Sequence, residues 1–116
     1  MQPVRINNTF VMDKRRVLSR DEALQLVRRY KQVICPRFDV EPKVLMYGSY
    51  AKGYVTPDSD IDVAVIVPTY GDRKFDIAQQ LWHDVDEVSL LIEPVLMAED
   101  RWSPLYKDVM HTGVVV

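Results

Sequence analysis

The sequence predicts an α/β (α+β) fold, a small mixed β-sheet flanked by helices. Three observations carry this. Apolar runs at residues 43–47, 61–67 and 90–97 read as strands. Two longer segments, opening at Ser19 and near Lys74, repeat apolar residues at helical spacing. Clusters of Gly, Pro, Asp and Ser separate the runs and read as turns.

Each element has a local cause. Ser19 and Glu22 form a capping-box pattern ahead of Ala23, Leu24, Val27, Tyr30 and Ile34, a helix that Pro36 ends. Arg28, Arg29 and Lys31 fall late in it, where the helix dipole favours cations. Cys35 follows Val33 and Ile34 and is expected to be a buried, inert thiol. Lys43 to Tyr47 is the first central strand, and Ser49 to Lys52 a short helix broken at Gly53. Ile61 to Val67 is β-branched and almost continuously apolar, so it reads as a strand buried on both faces and stopped by Pro68.

Phe75, Ala78, Leu81, Trp82, Val85 and Val88 mark the apolar face of a helix over about Lys74 to Glu87, with Trp82 expected in the core and His83 in solvent. Leu90 to Met97 is the third strand. Pro94 cannot donate to a ladder and places that strand at an edge or in irregular pairing. Ser103-Pro104 opens a last helix that closes at Gly113, and Val114 to Val116 suits a small strand. Residues 1–18 are mixed: apolar Val4, Ile6, Phe10 and Val11, a turn at Asn7-Asn8-Thr9, and a basic run Lys14-Arg15-Arg16 that reads as a solvated arm.

The chemistry concentrates in one stretch. The first strand ends in Gly48-Ser49, ten residues intervene, and Asp60-Ile61-Asp62 opens the second strand. Asp60 and Asp62 share a face about 7 Å apart along the chain, while Ile61 and Val63 point to the core. Two carboxylates on one face repel, and Mg²⁺, which takes one or two carboxylates with phosphate oxygens, resolves the repulsion. Gly48 permits close backbone approach, and Ser49 offers a hydroxyl and an N–H at a helix start, where phosphate is favoured. Lys52 is placed either to reach a triphosphate or to face solvent. Glu93 stands inside an apolar strand, where an ionised carboxylate is costly unless paired or coordinated. It is therefore a candidate third ligand, with a water-facing edge carboxylate as the alternative. Glu99 and Asp100 lie beyond the strand and are weaker candidates.

Gly48-Ser49, the ten-residue gap and Asp60-Ile61-Asp62 resemble the signature of the nucleotidyltransferase superfamily with the DNA polymerase β-type fold. The short chain and the wording Gly-Ser-Tyr-Ala-Lys-Gly resemble its minimal nucleotidyltransferases, over about residues 19–98. That resemblance implies one or two Mg²⁺ ions, or Mn²⁺, held by Asp60, Asp62 and Glu93. Many relatives carry Asp at the third position, and Glu93 is one methylene longer. It further implies ATP or another nucleoside triphosphate held by Gly48, Ser49 and Lys52. The implied partner is a HEPN-domain toxin, silenced by AMP transfer to a hydroxyl, reportedly of a tyrosine. Transfer to RNA or a small molecule, and a non-catalytic antitoxin acting by contact, stay as alternatives.

Length and composition bound the rest. The 116 residues suit one domain, 1–116, at 47% hydrophobic and 28% charged. Residues 1–52 carry eleven Lys/Arg against five Asp/Glu, and residues 53–116 four against twelve. The basic half is suited to a nucleotide, a nucleic acid or an acidic partner, or is simply a solvated surface. One cysteine rules out an intrachain disulfide and multi-cysteine metal sites. No run approaches a membrane span and no secretory h-region is visible, so a cytoplasmic protein is expected. Size alone leaves room for a homo- or hetero-oligomer that completes the site.

Overall fold

The computed structural model describes residues 17–116. The apolar residues and the basic run expected to form an N-terminal arm lie outside them, apart from Val17 and Leu18. The elements run α1 (Arg20–Ile34), β1 (Lys43–Tyr47), α2 (Ser49–Lys52), β2 (Ile61–Val67), α3 (Lys74–Val85), β3 (Ile92–Ala98), α4 (Pro104–Thr112) and β4 (Val114–Val115). The sheet order is β3-β2-β1-β4. β2 and β3 are parallel, joined through α3, while β1 lies antiparallel to both β2 and β4. This is the mixed, helix-flanked sheet that the sequence predicts.

The capping box forms with both bonds: the Glu22 N–H donates to Ser19 Oγ at 3.0 Å and the Ser19 N–H to Glu22 Oε1 at 2.9 Å. α1 buries Ala23, Val27, Tyr30 and Ile34, then passes through a 3₁₀ turn, Cys35–Arg37, with Pro36 inside it. Cys35 is only partly buried rather than buried as expected, because it leaves the helix at that turn; burial still pushes its thiol up.

β2 is covered on both faces, as its composition requires. Val63, Val65 and Val67 pack with Val44, Met46 and Leu96 under α1 and α3. Ala64 and Ile66 pack on the other side with Leu45, Tyr47, Met97 and Val109, under α4. β3 is the outer strand on its side of the described sheet, which is where Pro94 is tolerated. It starts at Ile92 rather than Leu90. A turn held by Leu91 N–H on Ser89 Oγ (3.2 Å) and Ile92 N–H on the Ser89 carbonyl (3.2 Å) leaves Leu90 exposed.

α3 departs most from expectation. Trp82 and Phe75 face solvent, at 51% and 76% exposure, although both fall on the apolar stripe of the sequence. The helix is turned so that Leu81, Asp84 and Val85 point inward. Two partners from outside the helix, Tyr30 and Arg37, accompany that rotation. The Tyr30 hydroxyl of α1 donates to the Leu81 carbonyl at 2.6 Å. Arg37 reaches Asp84 with two parallel bonds, Nε to Oδ2 at 2.6 Å and Nη2 to Oδ1 at 2.8 Å, and Gln80 adds a third at 3.2 Å. A fully buried carboxylate needs such partners, and a bidentate arginine is the strongest available. Among the described residues no helix is long and apolar enough to cross a membrane.

Arg37→Ala strands the Asp84 carboxylate in the core, and is expected to destabilise the fold strongly. Asp84→Asn keeps hydrogen-bonding capacity and leaves Arg37 half in water, so its cost should be smaller. Urea unfolding of both variants checks the order; equal losses would mean that the pair does not hold α3.

Candidate active site

The site is built by strand register. Tyr47 of β1 stands opposite Asp62 of β2, and Asp62 stands opposite Glu93 of β3. Residues directly opposite one another share a face, so these three form one row across the sheet. The adjacent row on that face, Leu45, Ala64 and Val95, packs in the apolar cluster beneath α4. Asp60 lies two residues before Asp62, just outside β2, where the Ile61 N–H donates to the Leu91 carbonyl at 2.8 Å and pins the strand entry.

Gly48 closes the row. Its backbone is at φ 73° and ψ −149°, a region essentially reserved for glycine. A Cβ placed there would overlap the Asp62 carboxylate. The chain therefore turns from β1 into α2 directly against Asp62, with Ser49 the first residue of α2 and Tyr50 buried as its anchor. The intervening loop is held by Ser59: its Oγ accepts from the Thr56 N–H at 2.9 Å, and its own N–H donates to the Thr56 carbonyl at 3.0 Å.

The electrostatics follow from crowding. The Asp62 carboxyl is raised above its ordinary range by burial, then by the charge of Asp60. The Glu93 carboxyl is raised by a shared hydrogen bond with Asp60, then by burial and by the charges of Asp60 and Asp62. The Tyr47 phenol is pushed up to about 12 by burial, then by Asp62, Glu93 and Asp108. Among the described residues no Lys or Arg forms an ion pair with Asp60, Asp62 or Glu93. Lys52 instead pairs with Asp108 of α4, Nζ to Oδ2 at 3.3 Å.

Thus Gly48, Asp60, Asp62 and Glu93 are brought together, Ser49 adjoins them, and Lys52 is held by another partner. Among the described residues no three His, Cys, Asp or Glu side chains stand as a formed ligand set for a metal ion. The carboxylates meet through register and charge. Sequence reasoning missed Tyr47 and Asp108. Tyr47 carried one signal, its position immediately before Gly-Ser; Asp108 sits in an ordinary amphipathic helix and carried none. A cavity of about 570 Å³ lies elsewhere, at the opposite end of β2, between Val67, Pro68, Arg37 and Arg73.

The sequence model of one family, described as "Nucleotidyltransferase domain", matches residues 27–106, a span that contains every residue of the predicted site. The chain belongs to this family. The nucleotidyltransferase domain is also similar in fold to a provisionally assigned nucleotidyltransferase from Sulfolobus solfataricus. The TM-score is 0.63 and the identity 18%, over 84% of this chain and 81% of that one. Two further structures are similar at TM-scores of 0.45 and 0.44 and identities of 20% and 19%, each over 84% of this chain and 72% of theirs. The first is a toxin-antitoxin with AMP-PNP, the second a mutant toxin-antitoxin MntA-HpeT. No curated protein matches the sequence.

Gly48→Ala should destabilise the domain by about 1–3 kcal/mol through backbone strain and its collision with Asp62. Gly53→Ala, also at positive φ but with nothing within 4 Å of its new Cβ, should cost less. Chemical denaturation of the pair tests this; a harmless Gly48→Ala would mean that the turn does not abut Asp62.

A second expectation follows from the raised carboxyls. A carboxyl whose pKa is higher in the folded state favours folding in acid and opposes it once ionised. In chelator, Asp62→Asn should melt higher than the wild type at pH 7, by a few degrees, and converge with it as the pH falls through the raised range. Calorimetry at stepped pH reads the gap; a constant difference would assign it to packing instead.

Proposed function

We propose that this chain transfers AMP from ATP to a hydroxyl on a partner protein, as the antitoxin of a HEPN-domain toxin, in the manner its Gly-Ser-Tyr-Ala-Lys-Gly motif resembles. One observation carries the catalytic part of this reading. Three carboxylates, uncompensated by any described cation, converge beside a glycine turn that leads into a helix start. A surface that served only solubility would not set like charges in register.

The donor set fits a hard divalent cation. Asp60, Asp62 and Glu93 offer only carboxylate oxygens, and the carboxyls of Asp62 and Glu93 are raised in part by crowded negative charge that such an ion relieves. These three residues would hold Mg²⁺, or Mn²⁺. When bound, the metal supplies charge neutralisation and alignment for phosphoryl chemistry.

The protein's own part is positioning. Gly48 lets the backbone approach the triphosphate without a side chain between, and Ser49 offers its hydroxyl and N–H to the phosphate oxygens. The acceptor oxygen forms a bond to the α-phosphorus, the bond to the bridging oxygen breaks, and pyrophosphate leaves. The carboxylate row takes the acceptor's proton. No covalent enzyme intermediate is needed, so alignment and electrostatics carry the rate.

The test is transfer from α-labelled ATP with Mg²⁺ in lysate of the source cell. Wild-type protein should label one protein band, and Asp60→Asn/Asp62→Asn none, with the fold of the double variant intact by circular dichroism. Label on RNA would replace the acceptor; turnover by the double variant would remove the site assignment. Glu93→Gln should raise the Mg²⁺ concentration needed by at least about tenfold, the loss typical of even an outer partner of a metal ligand. An unchanged Mg²⁺ titration would return Glu93 to a surface role.

A further inference from the structure

We propose that Asp108 is a positioning residue that holds Lys52 aside in the nucleotide-free protein and yields it to the triphosphate. This rests on the nucleotidyltransferase reading of the site. Four observations support it. Lys52 ends the single turn of helix that begins at Gly48-Ser49, so it stands one turn from the proposed phosphate position. Its ammonium pairs with Asp108 at 3.3 Å, and the two side chains are 39% and 42% exposed, so the pair is accessible to an incoming anion. Asp108 acts on the same Tyr47 phenol as Asp62 and Glu93, which places it at the same end of the sheet. It also lies two residues beyond the span matched by the family, on a helix that the catalytic motif does not include.

The two partners are held unequally. Asp108 is fixed by its neighbour Val109, fully buried against Leu45 and Ile66, and its carbonyl accepts from the Thr112 hydroxyl at 2.9 Å. Lys52 sits on a four-residue helix, at the end of a flexible stem. The lysine is therefore the partner that moves. A half-exposed ion pair is weak, and a triphosphate carries several charges where Asp108 carries one, so the exchange favours nucleotide.

A double-mutant cycle tests the proposal. Binding of AMP-PNP with Mg²⁺ is measured by calorimetry for wild type, Asp108→Asn, Lys52→Met and the double variant. Thermal melts establish that each folds; the Thr112 bond uses only the Asp108 backbone and survives the substitution. Asp108→Asn should tighten binding about twofold to fivefold, the range expected on freeing a half-exposed ion pair. In the Lys52→Met background the same substitution should change nothing. Equal tightening in both backgrounds would reduce Asp108 to a general repulsive charge and overturn the proposal. Weaker binding on Asp108→Asn would mean that Asp108 orients Lys52 in the bound state, which overturns it as well. If wild type binds no nucleotide, the reading of the site fails first and the proposal falls with it.

Discussion

Like charge held in register is the constraint on which this molecule turns. Three adjacent strands place Tyr47, Asp62 and Glu93 in one row, and Asp60 crowds the same edge. Nothing in the described chain neutralises that row. The rest of the architecture keeps it in place despite the repulsion: the apolar rows beneath it, the α1 and α3 layer behind it, and a glycine turn packed against it. Preorganised charge of this kind costs stability and suits a site that acts by electrostatics.

The fold was largely legible because its signals are local. A capping box, a Pro-terminated helix and three apolar runs each carry their cause within a few residues, and the structure forms each element, the third strand starting two residues later than its apolar run. The candidate site was legible for a related reason. Gly48-Ser49 and Asp60-Ile61-Asp62 lie on consecutive strands, so an antiparallel pairing of those strands suffices to bring them together. Glu93 needed one more step, the neighbouring strand, and its oddity inside an apolar run supplied it.

What escaped depends on distant partners. Nothing in the residues around Asp84 points to Arg37, its partner forty-seven positions away. That pair rotates α3, and with it Trp82 and Phe75 move from the expected core to the surface. Asp108 was invisible for the same reason, since its meaning lies in Lys52, fifty-six residues earlier. Periodicity reports which face a helix prefers, and an ion pair on one buried carboxylate is enough to overrule it.

The two faces of the sheet are anchored very differently. Behind it, α1 and α3 are tied by the Tyr30 bond and the Arg37–Asp84 clamp and bury many side chains. In front, α4 contributes a single fully buried residue, Val109, with Tyr106 partly buried beside it. Opening free energies track such differences, so α4, held through Val109, is anchored by less than the α1 and α3 layer. The carboxylate row lies at the seam between the more heavily anchored layer and α4. Anything that grips α4 from outside would therefore stiffen the edge of the site without touching it.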